Sequence, residues 1–104
     1  MPALLTKEII FKKLESNKSR LVDFGVQEIG LFGSYVNNQA TEKSDIDLLV
    51  DFQKDKKTLR NYLRIVYFLE DLFDKKVELI TKQSLSKHIG PHILKSVEYV
   101  SIAD

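Results

Sequence analysis

The sequence predicts one α/β domain, a small sheet packed in layers against helices. Segments with apolar residues at helical spacing alternate with short apolar runs bounded by turn residues, and helices laid on a sheet bury such an alternation. The run Leu48-Leu49-Val50 is apolar at consecutive positions, as a strand covered on both faces must be. With 104 residues, 43% of them apolar, the chain has the material for one core, and a single domain over residues 1–104 is expected.

The elements follow in order. Thr6 is suited to cap a helix over residues 7–24, in which Ile10, Leu14, Leu21 and Phe24 fall near one stripe while Lys7, Lys12, Lys13 and Lys18 lie elsewhere. Gly25 ends it. Residues 26–32 read as a strand with Ile29, Leu31 and Phe32 as apolar content, and Gly33-Ser34 breaks it. The polar stretch 35–43 is expected to hold one helical turn and a loop. Residues 45–52 form the second strand, and the charged stretch 54–57 a solvated turn. Leu59, Leu63, Val66, Leu69 and Phe73 place a helix over 57–73. Asp74-Lys75 turns the chain into a third strand over 77–80. A loop with a short helix is expected over 83–88, then a last helix over 91–97 with Pro91 in its first turn, then an extended tail over 98–102.

Composition removes several function classes. Lys and Arg number 16 against 15 Asp and Glu, so there is no general pull toward long nucleic acid or anionic lipid. Only Arg20, Arg60 and Arg64 offer forked phosphate recognition. The lack of cysteine excludes disulfides and thiolate metal sites, and His88 and His92, with Gly90-Pro91 between them, do not share an uninterrupted helix as a histidine metal pair would. No apolar run reaches the roughly 18 residues of a membrane span, and no signal-peptide core opens the chain, so a cytoplasmic protein is expected.

The chemistry concentrates between Gly33 and Glu78. Gly33-Ser34 is followed, after ten residues, by Asp45-Ile46-Asp47 leading into the buried run. On a strand Asp45 and Asp47 project to one face with Cα atoms roughly 6–7 Å apart, close enough to share a divalent cation. Two carboxylates so near repel unless a cation or a proton intervenes. Glu78, between Val77 and Leu79, becomes a third carboxylate if the third strand lies beside the second. Oxygen ligands alone indicate a hard cation, Mg²⁺ foremost, which completes its shell with water and substrate phosphates. Nucleotidyl transfer is the fitting reaction. Two ions bridged by Asp45 and Asp47 would hold a nucleoside triphosphate during in-line displacement, and Glu78 would assist the attacking hydroxyl. Gly33 lets the backbone approach a phosphate, and Ser34 supplies a hydroxyl and the following N–H groups. Blander readings stand beside these: a strand-start acid at Asp45, a solvated edge acid at Glu78, a turn at Gly33 and a turn cap at Ser34. Asp51, on the same face as Asp47 but about 13 Å away, is too distant for the same ion. Ser44 is read as structural.

The run Leu31-Phe32-Gly33-Ser34, the ten-residue gap and Ser44-Asp45-Ile46-Asp47-Leu48-Leu49-Val50 resemble the minimal nucleotidyltransferases of the DNA polymerase beta nucleotidyltransferase superfamily. Lys76-Val77-Glu78-Leu79-Ile80-Thr81 is similar to that family's third-acid strand, and Leu94 to Val100 to its C-terminal close, so the likeness spans residues 6–101. It implies a nucleotidyltransferase fold with a mixed sheet, Asp45, Asp47 and Glu78 as ligands of about two Mg²⁺ ions, and Gly33 and Ser34 as the triphosphate contact. It also implies a partner. Small members pair with helical HEPN-type toxins as antitoxins, some transferring AMP from ATP to a toxin tyrosine. Two departures stand out: Asn37 and Asn38 replace the arginine and glycine usual after Gly-Ser, and the third acid is Glu rather than Asp. They motivate an alternative, a non-catalytic antitoxin-like module that neutralises its partner by contact. The long helix and the tail leave a homo-oligomer or a partner complex equally open.

Overall fold

The computed structural model describes residues 5–85 and 90–102. Four strands, β1 (Val26–Phe32), β2 (Ile46–Phe52), β3 (Val77–Thr81) and β4 (Glu98–Ser101), form one sheet in the order β3-β2-β1-β4. β1 runs antiparallel to β2 and β4, while β2 and β3 are parallel, so the sheet is mixed. The helices are α1 (Lys7–Ser16), α2 (Lys18–Asp23), α3 (Leu59–Phe73) and α4 (Gly90–Ser96).

Strand alternation divides the sheet into two chemistries. Ile46, Leu48, Val50 and Phe52 of β2 join Ile29 and Leu31 of β1, and Val77 and Leu79 of β3, in one buried cluster with Ile10, Leu14, Leu21, Ile65, Leu69 and Phe73 from the helices. The intervening β2 residues, Asp47, Leu49 and Asp51, belong to the opposite face. Leu49 is also buried there, at 1% exposure, so the consecutive apolar run of β2 is covered on both sides.

The expected 7–24 helix is interrupted at Asn17, which leaves helical geometry (φ −113°, ψ 17°) while its side-chain amide donates to the Lys13 carbonyl at 2.8 Å. An Asn side chain offers the backbone this alternative to continuing the helix. Leu14 and Leu21 flank the break and both are buried, so the apolar stripe passes through it.

α3 starts at Leu59 because the Thr58 hydroxyl accepts from the Asn61 N–H at 3.1 Å, and it ends at Asp74 in the left-handed region. Its apolar inner stripe docks on the sheet, and the Tyr62 hydroxyl donates to the Leu79 carbonyl at 2.7 Å, tying α3 to edge strand β3. Removing that bond by Tyr62→Phe is expected to cost about 1 kcal/mol, or roughly 4–8 °C in melting temperature for a domain of this size. A thermal melt that moves by less than a degree would show the bond to be dispensable.

Residues 98–102, expected as an extended tail, are more than that. β4 pairs with β1, and Val100 and Ile102 enter the core at 4% and 3% exposure. Lys7 meets Glu98 at 3.2 Å across α1 and β4, a half-exposed pair of little energetic weight. Pro91 lies in the first turn of α4 as expected, whereas of the expected 83–88 helix only a 3-10 turn at Lys82–Ser84 falls among the described residues. His88 lies outside them, and His92 is exposed on α4.

Candidate active site

At the end of β1 the chain enters a 3-10 turn, Gly33–Tyr35, with Gly33 at φ +79°. That conformation favours glycine, and so does the space: a Cβ on Gly33 would collide with Asp47 Oδ2 and lie 3.2 Å from its Cγ. The turn therefore lies directly against the Asp47 carboxyl group. Its backbone is held by Val36 and Asn37 N–H groups donating to the Gly33 carbonyl (3.2 and 3.3 Å) and by Gln39 N–H donating to the Ser34 carbonyl (2.9 Å). Asn38 takes φ +59°, a conformation that Gly adopts most easily and Asn tolerates better than most residues. Asn38 therefore makes this bend without a glycine.

The loop before β2 is fixed by Ser44, as its structural reading anticipates. Its Oγ accepts from Thr41 N–H at 2.9 Å, and its own N–H donates to the Thr41 carbonyl at 3.0 Å. Lys75 Nζ donates to the Glu42 carbonyl at 2.7 Å, and Ile46 N–H donates to the Lys76 carbonyl at 3.0 Å. These bonds align the starts of β2 and β3, placing Asp47 in register with Glu78 on one side and Phe32 on the other. In-register neighbours share a face, so the sheet itself sets the two carboxyl groups together.

Electrostatics report how close they are. Burial, then a hydrogen bond with Glu78, then the negative charges of Glu78 and Asp45 push the Asp47 carboxyl up from 3.8 to about 6. Asp45 stands apart: it is exposed and precedes the first residue of β2 rather than opening the strand. Among the described residues, no three Asp, Glu, His or Cys side chains are close enough to hold one ion as they stand. Glu78 is exposed on edge strand β3. The donor set nonetheless suits a hard cation. It consists of carboxylate oxygens, and its central member carries a charge that its neighbours oppose. Asp51 is in register with Glu28 at the other end of β2, away from this pair.

Residues 8–102 match the family model of the nucleotidyltransferase domain. The chain belongs to the nucleotidyltransferase domain family. It is 42% identical over 99 residues to the protein adenylyltransferase MntA of Thermococcus cleftensis, covering 94% of this chain and 99% of that protein. A solved structure assigned to the minimal nucleotidyltransferases superposes with a TM-score of 0.80 at 26% identity, covering 93% of this chain and 98% of the other. A mutant of the MntA–HpeT toxin–antitoxin superposes at 0.64 with 26% identity over 97% of this chain and 76% of the other. The α/β nucleotidyltransferase fold and the minimal-nucleotidyltransferase resemblance read from the sequence are thereby established.

One residue of the nucleotidyltransferase sheet drew no functional reading from the sequence. Tyr99, on β4, lies across Gly30 on the same face as Asp47. The available signal was an aromatic residue paired with a strand glycine, and it becomes visible only once β4 is known to pair with β1.

Proposed function

We propose that this chain transfers AMP from ATP, with Mg²⁺, to a hydroxyl of a partner protein, and that the partner is a HEPN-type toxin for which it serves as antitoxin. The observation that carries the reading is the placement of Asp47, in register with Glu78 and directly against the Gly33 turn at one end of the sheet. The adenylyltransferase and toxin–antitoxin relatives support the choice of donor and acceptor.

In this scheme the acceptor oxygen bonds to the α-phosphorus as the bond from that phosphorus to the α,β-bridging oxygen breaks, and diphosphate leaves with the electron pair. Asp45, Asp47 and Glu78 would hold the cations, the exposed Asp45 turning toward the pair. Bound Mg²⁺ would neutralise charge on the triphosphate as it is displaced. The Gly33 backbone gives the phosphates close approach, and the Ser34 hydroxyl donates to them. Glu78, exposed on edge strand β3, would favour deprotonation of a hydroxyl brought by another chain.

The test is transfer of label from α-phosphate-labelled ATP with Mg²⁺ in a lysate of the source cell, comparing wild type with Asp45→Asn/Asp47→Asn. A labelled protein band with the wild type alone is expected. Equal labelling by both would remove the acids from the reaction. No labelling by either, with the double variant still neutralising the partner, would replace transfer by the contact-only module.

A further inference from the structure

We propose that the Tyr99 ring is the platform on which the base of the nucleoside triphosphate stacks. This inference deepens the functional reading above and rests on it. Tyr99 stands directly opposite Gly30 in the β1–β4 pair. Its Cδ1 and Cε1 atoms lie 3.0 and 3.2 Å from where a Gly30 Cβ would be, beside a Val97 methyl at 2.5 Å, so the ring packs on β1 at Gly30. A side chain at position 30 would displace the Val97 methyl and press on the ring, so the glycine is what lets both approach the strand. The contact with Gly30 takes up the Cδ1–Cε1 side of the ring, and the residue remains 41% exposed.

Gly30 is also opposite Leu49, and Phe32 is opposite Asp47. Gly30, on which the ring packs, is therefore one strand across and two residues along from Asp47. With strands about 4.8 Å apart and a rise of about 3.3 Å per residue, that separation is about 8 Å. A ribose and its 5′ carbon span this distance, so an α-phosphate beside Asp47 brings its base over Tyr99. The nearby charges leave the platform neutral. Burial holds the phenol above its usual range, with Lys82 pulling it down and Glu28 and Asp51 pushing it up. An uncharged ring presents its π-face to any base, and losing one base–aromatic stack costs about ten- to a hundredfold in affinity.

Calorimetric titration of the full chain in Mg²⁺ tests this, using α,β-methylene ATP, which resists cleavage at the reacting bond, and inorganic triphosphate, which has no base. Tyr99→Ala is expected to weaken the ATP analogue about ten- to a hundredfold while leaving triphosphate binding in place, and Tyr99→Phe to restore the analogue's affinity. Tyr99→Leu keeps an apolar cover on Gly30 without a π-face and is expected to behave as Tyr99→Ala, so a folding defect in the alanine variant does not decide the outcome. Unchanged affinity for the analogue in the Ala and Leu variants, or equal loss of both ligands, would overturn the platform. A wild-type chain that binds triphosphate but gains nothing from the base would overturn it as well and leave the transfer site standing. A wild type that binds neither ligand would sink the functional reading and this inference together.

Discussion

Asp47→Asn is expected to lower nucleotidyl transfer by about 10²–10³-fold or more, the scale of losing one preorganised charge-stabilising group, while making the metal-free protein more stable. The two effects share one cause. Asp47 is pressed between burial and the carboxylates of Glu78 and Asp45, and its carboxyl titrates at about 6 instead of 3.8. The folded state thus holds this proton more tightly than the unfolded chain does. The group's stabilising contribution is present below about pH 4 and is lost as pH rises through 6. Above that pH the metal-free wild type carries an uncompensated charge, which the amide removes. After discounting for solvent around this half-exposed group, the gain is on the order of 1 kcal/mol, about 4–8 °C. Melts of both proteins in chelator from pH 4 to pH 8 should diverge as pH rises. Parallel curves would mean that neither burial nor the neighbouring carboxylates raise the Asp47 carboxyl.

Gly33→Ala is expected to harm the reaction more than the fold. An L-residue at φ +79° costs roughly 1–2 kcal/mol, a tolerable loss for most domains. The added methyl group, however, meets the Asp47 carboxylate itself, the free end of a side chain, and that group is what gives way. Displacing a reacting constellation by about 1 Å can cost about 100-fold in rate. Paired measurement of melting temperature and label transfer decides the matter: a variant as active as wild type at its lower melting temperature would show that the turn and the carboxylate are independent.

Much of the architecture is legible in the sequence because one-sided burial leaves a period. β1 is bounded as the sequence predicts, and β2 and β3 shift by a single residue. The same pattern is blind to Asn17. Leu14 and Leu21 keep their stripe whether or not the helix is continuous, and the break is made by a side-chain hydrogen bond that periodicity does not encode. β4 is short, and half of its pattern is polar because it lies on an edge, so its pairing becomes visible only in the sheet. At the site, the spacing Gly33-Ser34 to Asp45-Ile46-Asp47 identifies the segments that converge, and the β2–β3 register brings Glu78 beside Asp47 as expected. The sequence places Asp45 inside the strand, whereas β2 begins at Ile46, after a loop set by Thr41–Ser44 and Lys75 contacts that involve no apolar residue. Tyr99 depends on a pairing across the whole chain and has no local signature.

The parallel β2–β3 pair also has a consequence for how the protein comes into being. β1 and β2 are antiparallel neighbours in sequence, so Gly33 and Asp47 can meet early, during synthesis of the first half of the chain. Glu78 arrives 31 residues after Asp47, with α3 between them, and its registration is a non-local event that closes a long loop before any contact rewards it. It is opposed, moreover, by the repulsion of the very carboxylates it brings together. A nascent or partly unfolded chain therefore has no acid pair, and competence for transfer would be the last property acquired on folding and the first lost on unfolding, before most of the secondary structure is gone.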